Sequence, residues 1–279
     1  MTIRREEFEL TVTTEDPPRR LMGQDSGNAL SADVLICLPG LLETQKSFDP
    51  MVMALGERFR IITVDFAGRG RSSPMADRQH YKMSAYLADL GLLMAHVQGR
   101  LAISQPHRLH LVGTSMGGLL AMFLARIRPD WFQSLVLNDV SCLLPWTGIM
   151  GLMSGLGSAT KGVNFFDGVK DLASTLEVDP ALIRAVQKPG HLDLPHQTTV
   201  FGVDFTEVFQ ALPQPILLLK AGRSGIIDDQ AYERMRQCHQ NLQVFEQPEA
   251  EHPVPYSAEV CARISQFLRG PAPSQPSSL

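Results

Sequence analysis

Six residues, Gly113-Thr114-Ser115-Met116-Gly117-Gly118, constrain this chain more than any others. They follow a short run of strand character, Leu109-His110-Leu111-Val112, and precede an apolar segment of helical character that starts at Leu119 and is ended by Pro129. A chain that passes from strand to helix in so few residues must reverse sharply. Gly113 and Gly117 supply the room for that reversal and for close strand-helix packing. The reversal lifts the Ser115 hydroxyl above the sheet and sets it at a helix N-terminus, whose free N–H groups favour developing negative charge.

The rest of the chain repeats the strand-then-helix rhythm. Phe8 to Val12 alternates like a half-exposed strand, and Val34 to Leu38, Arg60 to Asp65, Arg108 to Val112, Ser134 to Asn138, Ile216 to Lys220 and Leu242 to Phe245 read as further strands. Met83, Leu87, Leu90, Met94, Val97 and Leu101 recur at helical spacing, while Tyr232 to His239 and Ala258 to Leu268 read as two more helices. Alternation of this kind predicts an α/β fold, a mainly parallel central sheet flanked by helices. The stretch from 141 to 212 breaks the rhythm. It has no clear strand, is rich in Gly, Leu, Met and Phe, and contains short helices at Val169 to Ser174 and Pro180 to Val186. The expected organisation is therefore a core of 1–140 and 213–270, an inserted helical cap at 141–212, and a flexible tail at 271–279 that is too rich in Pro and Ser to bury apolar surface.

Length and charge narrow the function classes. A chain of 279 residues can bury a large core, and a net charge of -4 with no Lys/Arg block gives no footprint for nucleic acid. Cys37, Cys142, Cys238 and Cys261 show no CxxC spacing and read as reduced thiols rather than metal ligands. No apolar run approaches the length of a membrane span and the first residues lack a signal-peptide pattern, so a soluble cytoplasmic protein is expected. The oligomeric state is left open.

Three segments together resemble the α/β-hydrolase superfamily, and the resemblance extends from Val34 to Leu268. Gly113 to Gly117 matches its G-x-S-x-G elbow, and Val64-Asp65-Phe66-Ala67-Gly68-Arg69-Gly70-Arg71-Ser72 matches its D-x-x-G-x-G-x-S turn. Leu38-Pro39-Gly40-Leu41, followed by Phe48 and Pro50, is similar to its oxyanion loop, with Pro39 where a His is common. The resemblance implies the α/β-hydrolase fold, Ser115 as nucleophile, and an oxyanion hole made by the backbone N–H groups of Leu41 and Met116.

It also implies a chain order of nucleophile, acid, histidine. His252, in Glu251-His252-Pro253 after the last strand and before the last helix, falls where the family places its base. The acid departs from the pattern, because Gly225 stands at the usual carboxylate position in Ala221-Gly222-Arg223-Ser224-Gly225. Asp139, at the end of the strand Ser134 to Asn138, is the first choice, since some superfamily members take the acid from that strand end. Asp228 and Asp229, just beyond the empty position, and a site with no acid at all are the alternatives.

The implied reaction is acyl transfer through an acyl-enzyme on Ser115, with no metal or organic cofactor. A serine at the elbow argues against epoxide hydrolase and haloalkane dehalogenase chemistry. Trp146, Phe165, Phe166, Phe201 and Phe205, with several Met and Leu, suit a small or medium apolar ester. C–C bond hydrolase, lactonase, thioesterase and perhydrolase chemistry use the same serine and histidine and stay open. So does a non-catalytic or weakly catalytic ligand-binding protein on a hydrolase scaffold, a reading motivated by the empty acid position.

Overall fold

Strand β5 (Arg108–Thr114) lies in the middle of the molecule, paired in parallel with β3 (Asp33–Leu38) on one side and β6 (Phe132–Asn138) on the other. The computed structural model describes residues 2–13, 17–101, 106–159 and 165–270, with the side chains of 153, 156–159, 165–168 and 189 left aside. The tail expected at 271–279 lies outside these residues, as do the side chains of Phe165 and Phe166.

Around β5, the sheet is completed by β1 (Arg5–Val12), β2 (Arg19–Gly27), β4 (Arg60–Val64), β10 (Ile216–Ala221) and β11 (Leu242–Gln247). Among the described residues it has eight strands in the order β1-β2-β4-β3-β5-β6-β10-β11. Pairing is antiparallel at the β1-β2 edge and between β2 and β4, and parallel everywhere else. A mainly parallel sheet needs cover on both faces, and the period-two patterning of its strands supplies two apolar faces. Val34, Ile36, Leu38, Leu111, Leu135, Leu137 and Leu218 belong to one buried cluster. Leu35, Cys37, Val112, Val136, Leu217 and Leu219 belong to the other.

Helices α2 (Met83–Arg100) and α3 (Met116–Ile127) cover the first face through Tyr86, Leu90, Met94, Leu120 and Phe123. Helices α1 (Asp49–Leu55) and α9 (Ala258–Leu268) cover the second through Met51, Val52, Val260 and Ile264. Helix α8 (Asp229–Cys238) joins β10 to β11, and α7 (Thr206–Gln210) precedes β10.

β2 escapes sequence reading because it is polar. Its Asp25 is fully buried yet accepts from Arg60 at 2.6 and 3.1 Å and from Arg4 at 3.1 Å, so the strand carries a buried ion cluster where an apolar side chain is usual. The absence of strands expected for 141–212 is corrected. Residues of β7 (Leu143–Pro145), β8 (Gln197–Thr198) and β9 (Gly202–Asp204) form a separate small sheet in the order β7-β9-β8, too short to show a period in sequence. Helices α4 (Trp146–Ala159), α5 (Phe165–Leu176) and α6 (Pro180–Val186) lie between β7 and β8 in sequence. All four cysteines are unpaired.

Candidate active site

Ser115 stands between β5 and α3 with φ 50° and ψ -115°, a conformation that L side chains rarely adopt. The neighbouring glycines permit it. A Cβ on Gly117 would meet the Leu38 carbonyl oxygen at 2.1 Å, and one on Gly113 would meet the Gly117 backbone at 2.5 Å. The Ser115 N–H donates to the Asn138 carbonyl at 2.9 Å, which ties the turn to the end of β6.

The imidazole of His252 lies across this turn. Its Nε2 is 3.0 Å from Ser115 Oγ, and its Nδ1 is 2.8 Å from Asp139 Oδ2. Asp139 is wholly buried, and its second carboxylate oxygen accepts from the Ala221 N–H at 3.1 Å. Its backbone sits at φ 48°, and its own N–H donates to the Leu219 carbonyl at 2.8 Å. Both anchors come from β10, so the carboxylate is held by the neighbouring strand. Of the alternatives weighed from sequence, Asp228 is spent elsewhere, capping α8 by accepting the Ala231 N–H at 2.8 Å, and Asp229 is the first residue of that helix. No carboxylate occupies position 225.

Two residues that sequence reading passed over place the imidazole. Asn138 accepts the Val254 N–H at 3.0 Å and donates to the Val254 carbonyl at 2.8 Å, clamping the chain two residues past His252 against β6. The Tyr256 hydroxyl is 2.8 Å from Thr114 Oγ1, one residue before the serine. The available signal was a polar Asn directly after the apolar run Leu135-Val136-Leu137 of β6.

The loop after β3 brings Leu41 beside Met116 in the wall of one cavity that also contains Ser115. Neither the Leu41 nor the Met116 N–H donates to an acceptor among the described residues. Two further residues hold this loop, and both were missed. Arg69 is fully buried; its Nε donates to the Leu41 carbonyl at 2.8 Å, its Nη1 donates to the Ala67 carbonyl at 2.9 Å, and its guanidinium lies 4.7 Å from the Tyr86 ring centre. Glu43 Oε2 accepts the Gly40 N–H at 2.7 Å. Burial pushes the Glu43 carboxyl above the ordinary carboxylate range, opposed by the Gly40 N–H and by nearby His252. Asp65, of the same turn as Arg69, ties that turn to the loop by accepting from the Gln45 N–H at 2.8 Å and the Arg71 N–H at 3.1 Å.

The cavity measures about 370 Å³ and is walled mainly by aliphatic side chains such as Leu119, Val140, Ile149, Val186, Val203 and Ile226. Of the aromatic residues expected from sequence to line it, Trp146 does so among the described side chains. Phe205 instead packs edge-on to Phe123 in the core, 5.6 Å between ring centres, and Phe201 faces solvent. Among the described residues, no helix is long and apolar enough to cross a membrane, and no group of three His, Cys, Asp or Glu is arranged to hold a metal.

A model of the α/β hydrolase fold family matches residues 33–155. The chain is 26% identical over 280 residues to the 3-hydroxybutyrate-oligomer hydrolase of Cupriavidus necator, covering 90% of this chain and 93% of that protein. It is 28% identical over 245 residues to the N-formylmaleamate deformylase of Pseudomonas putida, covering 80% of this chain and 82% of that one. Among solved structures, an α/β hydrolase from Novosphingobium aromaticivorans superposes with a TM-score of 0.73 at 22% identity, covering 95% of this chain and 98% of that chain.

Proposed function

We propose that this chain, which belongs to the α/β-hydrolase superfamily and has its fold, is a serine hydrolase that cleaves ester bonds of small to medium apolar substrates. The observation that carries the reading is the unbroken hydrogen-bond chain from Asp139 through His252 to Ser115. Ser115 Oγ attacks the ester carbonyl carbon as His252 Nε2 takes its proton. The buried Asp139 carboxylate keeps the other ring proton on Nδ1 and stabilises the imidazolium that forms. The N–H groups of Leu41 and Met116 receive the oxyanion. Preorganised donors of this type are each worth roughly 3 to 4 kcal/mol of barrier. The imidazolium then protonates the leaving alcohol, and water, deprotonated by the same ring, releases the acid and restores Ser115.

Residues 141–212 act as the cap in this reading, since Trp146, Ile149, Val186 and Val203 contribute to the cavity wall. The alternative of a binding module was motivated by the missing acid at position 225, and Asp139 supplies a carboxylate at hydrogen-bond distance from His252. Four unpaired cysteines fit a reducing, cytoplasmic setting. The Cupriavidus relative, named for cleaving oligomers of a hydroxy acid, makes esters of hydroxy acids the first panel to assay.

The test is turnover of p-nitrophenyl butyrate, with fluorophosphonate labelling, by the protein and its Ser115→Ala variant. Turnover and labelling that both vanish with the serine are expected. No turnover and no labelling by the unaltered protein would sink the hydrolase reading.

A further inference from the structure

A second cavity adjoins the one that holds Ser115, and its character is the opposite. It measures about 310 Å³, and Arg78, Lys82, Arg184 and Lys188 stand in its wall. Two separate stretches supply these cations. Arg78 opens a 3-10 turn (Arg78–His80) and Lys82 immediately precedes α2, both in the core, whereas Arg184 lies in the last turn of α6 and Lys188 two residues past it, in the inserted segment. The carboxylates nearest in sequence are engaged elsewhere. Asp77 accepts the Gln79 N–H at 2.9 Å, Asp179 accepts the Ala181 N–H at 2.9 Å and the Tyr81 hydroxyl, and Asp193 accepts the Ser84 N–H at 2.9 Å and the Ser84 hydroxyl. Arg78, Lys82 and Lys188 are exposed, and none of the three forms an ion pair among the described residues. In a chain of net charge -4 this is a local excess of positive charge in a concave place. Lys188 and His191 belong to the walls of both cavities, so the basic pocket lies directly beside the apolar one.

We propose that the basic pocket is a subsite for an anionic group, such as a carboxylate, at the far end of an ester substrate whose apolar stretch fills the cavity beside Ser115. This rests on the Ser115 hydrolase reading and narrows its substrate class to apolar esters with a charged end. The aliphatic wall of Leu119, Val140, Ile149 and Val203 takes methylenes but offers a charge no partner, so a carboxylate held there pays for its lost water. Beyond Lys188 it meets cations and open solvent instead. A cleft lined by one sign of charge concentrates ligands of the other sign and raises their capture about tenfold or more at low salt. Because these cations are exposed, the attraction is screened and falls as salt rises. A cationic end is repelled and a neutral end gains nothing, so the pocket selects by charge.

The experiment measures kcat/KM at low salt for two ester series of increasing chain length. One is the p-nitrophenyl esters of ω-carboxy fatty acids and the other the butyrate esters of ω-hydroxy fatty acids, which set the carboxylate on the acyl side and on the alcohol side. Each ester is compared with the molecule carrying a neutral primary amide in place of the carboxylate. At least one pair should favour the carboxylate about tenfold or more in the unaltered protein, and about 0.5 M salt should remove most of that preference. Arg78→Glu and Lys82→Glu together should bring the ratio to one or below. Arg126→Glu and Arg128→Glu together, the same change of net charge at the end of α3 away from Ser115, should leave it as in the unaltered protein. The ratio is taken within each variant, so a general effect on fold or chemistry cancels. Ratios near one for every pair, with Ser115-dependent turnover intact, overturn the anion subsite and leave the hydrolase reading standing. A ratio that survives the reversal at Arg78 and Lys82 overturns it equally, as does one that falls as far in the Arg126 and Arg128 control. Absence of Ser115-dependent turnover on every ester instead refutes the hydrolase reading, and this inference with it.

Discussion

Replacing Asp139 by Asn tests the proposed relay at one atom, and the structure fixes which way the new amide must point. Asp139 Oδ1 accepts the Ala221 N–H at 3.1 Å, a group that can only donate. The Asn amide must therefore turn its oxygen to Ala221 and its NH2 to His252 Nδ1, because the reverse sets two donors face to face. Nδ1 then has to accept, and the ring proton moves to Nε2. The Nε2–H faces Ser115 Oγ across 3.0 Å with no lone pair to take the hydroxyl proton. In the well-studied triads this wrong tautomer lowers turnover by about four orders of magnitude, about 5.5 kcal/mol of barrier. The fold should survive, since Asn has nearly the same shape, tolerates the φ of 48° at this position and leaves the N–H bond to Leu219 intact. The assay is kcat on p-nitrophenyl butyrate near neutral pH, paired with nitrogen NMR of His252 to locate the ring proton and with a melting curve. A variant that folds and keeps more than about a tenth of the rate, against the roughly ten-thousandfold loss expected, would refute the assignment of Asp139.

Glu43→Ala leaves the Gly40 N–H without its acceptor and loosens the loop carrying Leu41, so kcat should fall about three- to tenfold, the worth of one such bond, while Glu43→Gln keeps most of the rate. Gly117→Ala drives a Cβ to 2.1 Å from the Leu38 carbonyl oxygen, backbone that cannot swing aside; calorimetry or denaturant titration should show a loss of about 3 kcal/mol or more, or no folded protein. Acid stability should depend on Asp33, whose carboxyl is held below the ordinary range by His110 and then by Arg108. A carboxyl depressed in the folded state stabilises it above its unfolded value of about 4 and loses that contribution as pH falls towards the folded value. The melting temperature should drop on acidification below about pH 4, and less steeply in Asp33→Asn.

What was legible in the sequence follows from how locally each feature is determined. The buried strands announce themselves as short continuous apolar runs, with Val34, Ile36 and Leu38 filling one face and Leu35 and Cys37 the other, and α2 because its apolar residues recur at helical spacing. β2 is illegible for the opposite reason, since Asp25 is buried only by virtue of Arg60 and Arg4, residues distant in sequence that no local window sees together. The same holds at the candidate site. Ser115 is readable because its strained turn demands glycines within two residues on either side. Arg69 holds the loop after β3 through a contact with Leu41 that exists only once β3 and β4 lie side by side, whereas Glu43 bonds Gly40 within that loop and carries no pattern that marks it in sequence.

That Asp139 rather than residue 225 places a carboxylate beside His252 has a simple physical basis in sheet order. β6 and β10 are parallel neighbours, with Asn138 paired to Leu219, so their C-terminal ends open at the same edge of the sheet. A side chain leaving either end starts from nearly the same place relative to His252. Asp139 uses this directly, since its N–H and its carboxylate are both bonded to β10, at Leu219 and Ala221. The positive φ of Asp139 turns the chain there, a conformation that Asp tolerates better than most residues. Asn138, one residue earlier, clamps the backbone of Val254 and so fixes the histidine segment to the strand that carries the acid. With Asp139 and the His252 segment both tied to β6, a glycine at position 225 costs the hydrogen-bond chain nothing. Chain order and strand adjacency, rather than any one loop motif, are what a sequence must preserve to keep a carboxylate behind this imidazole.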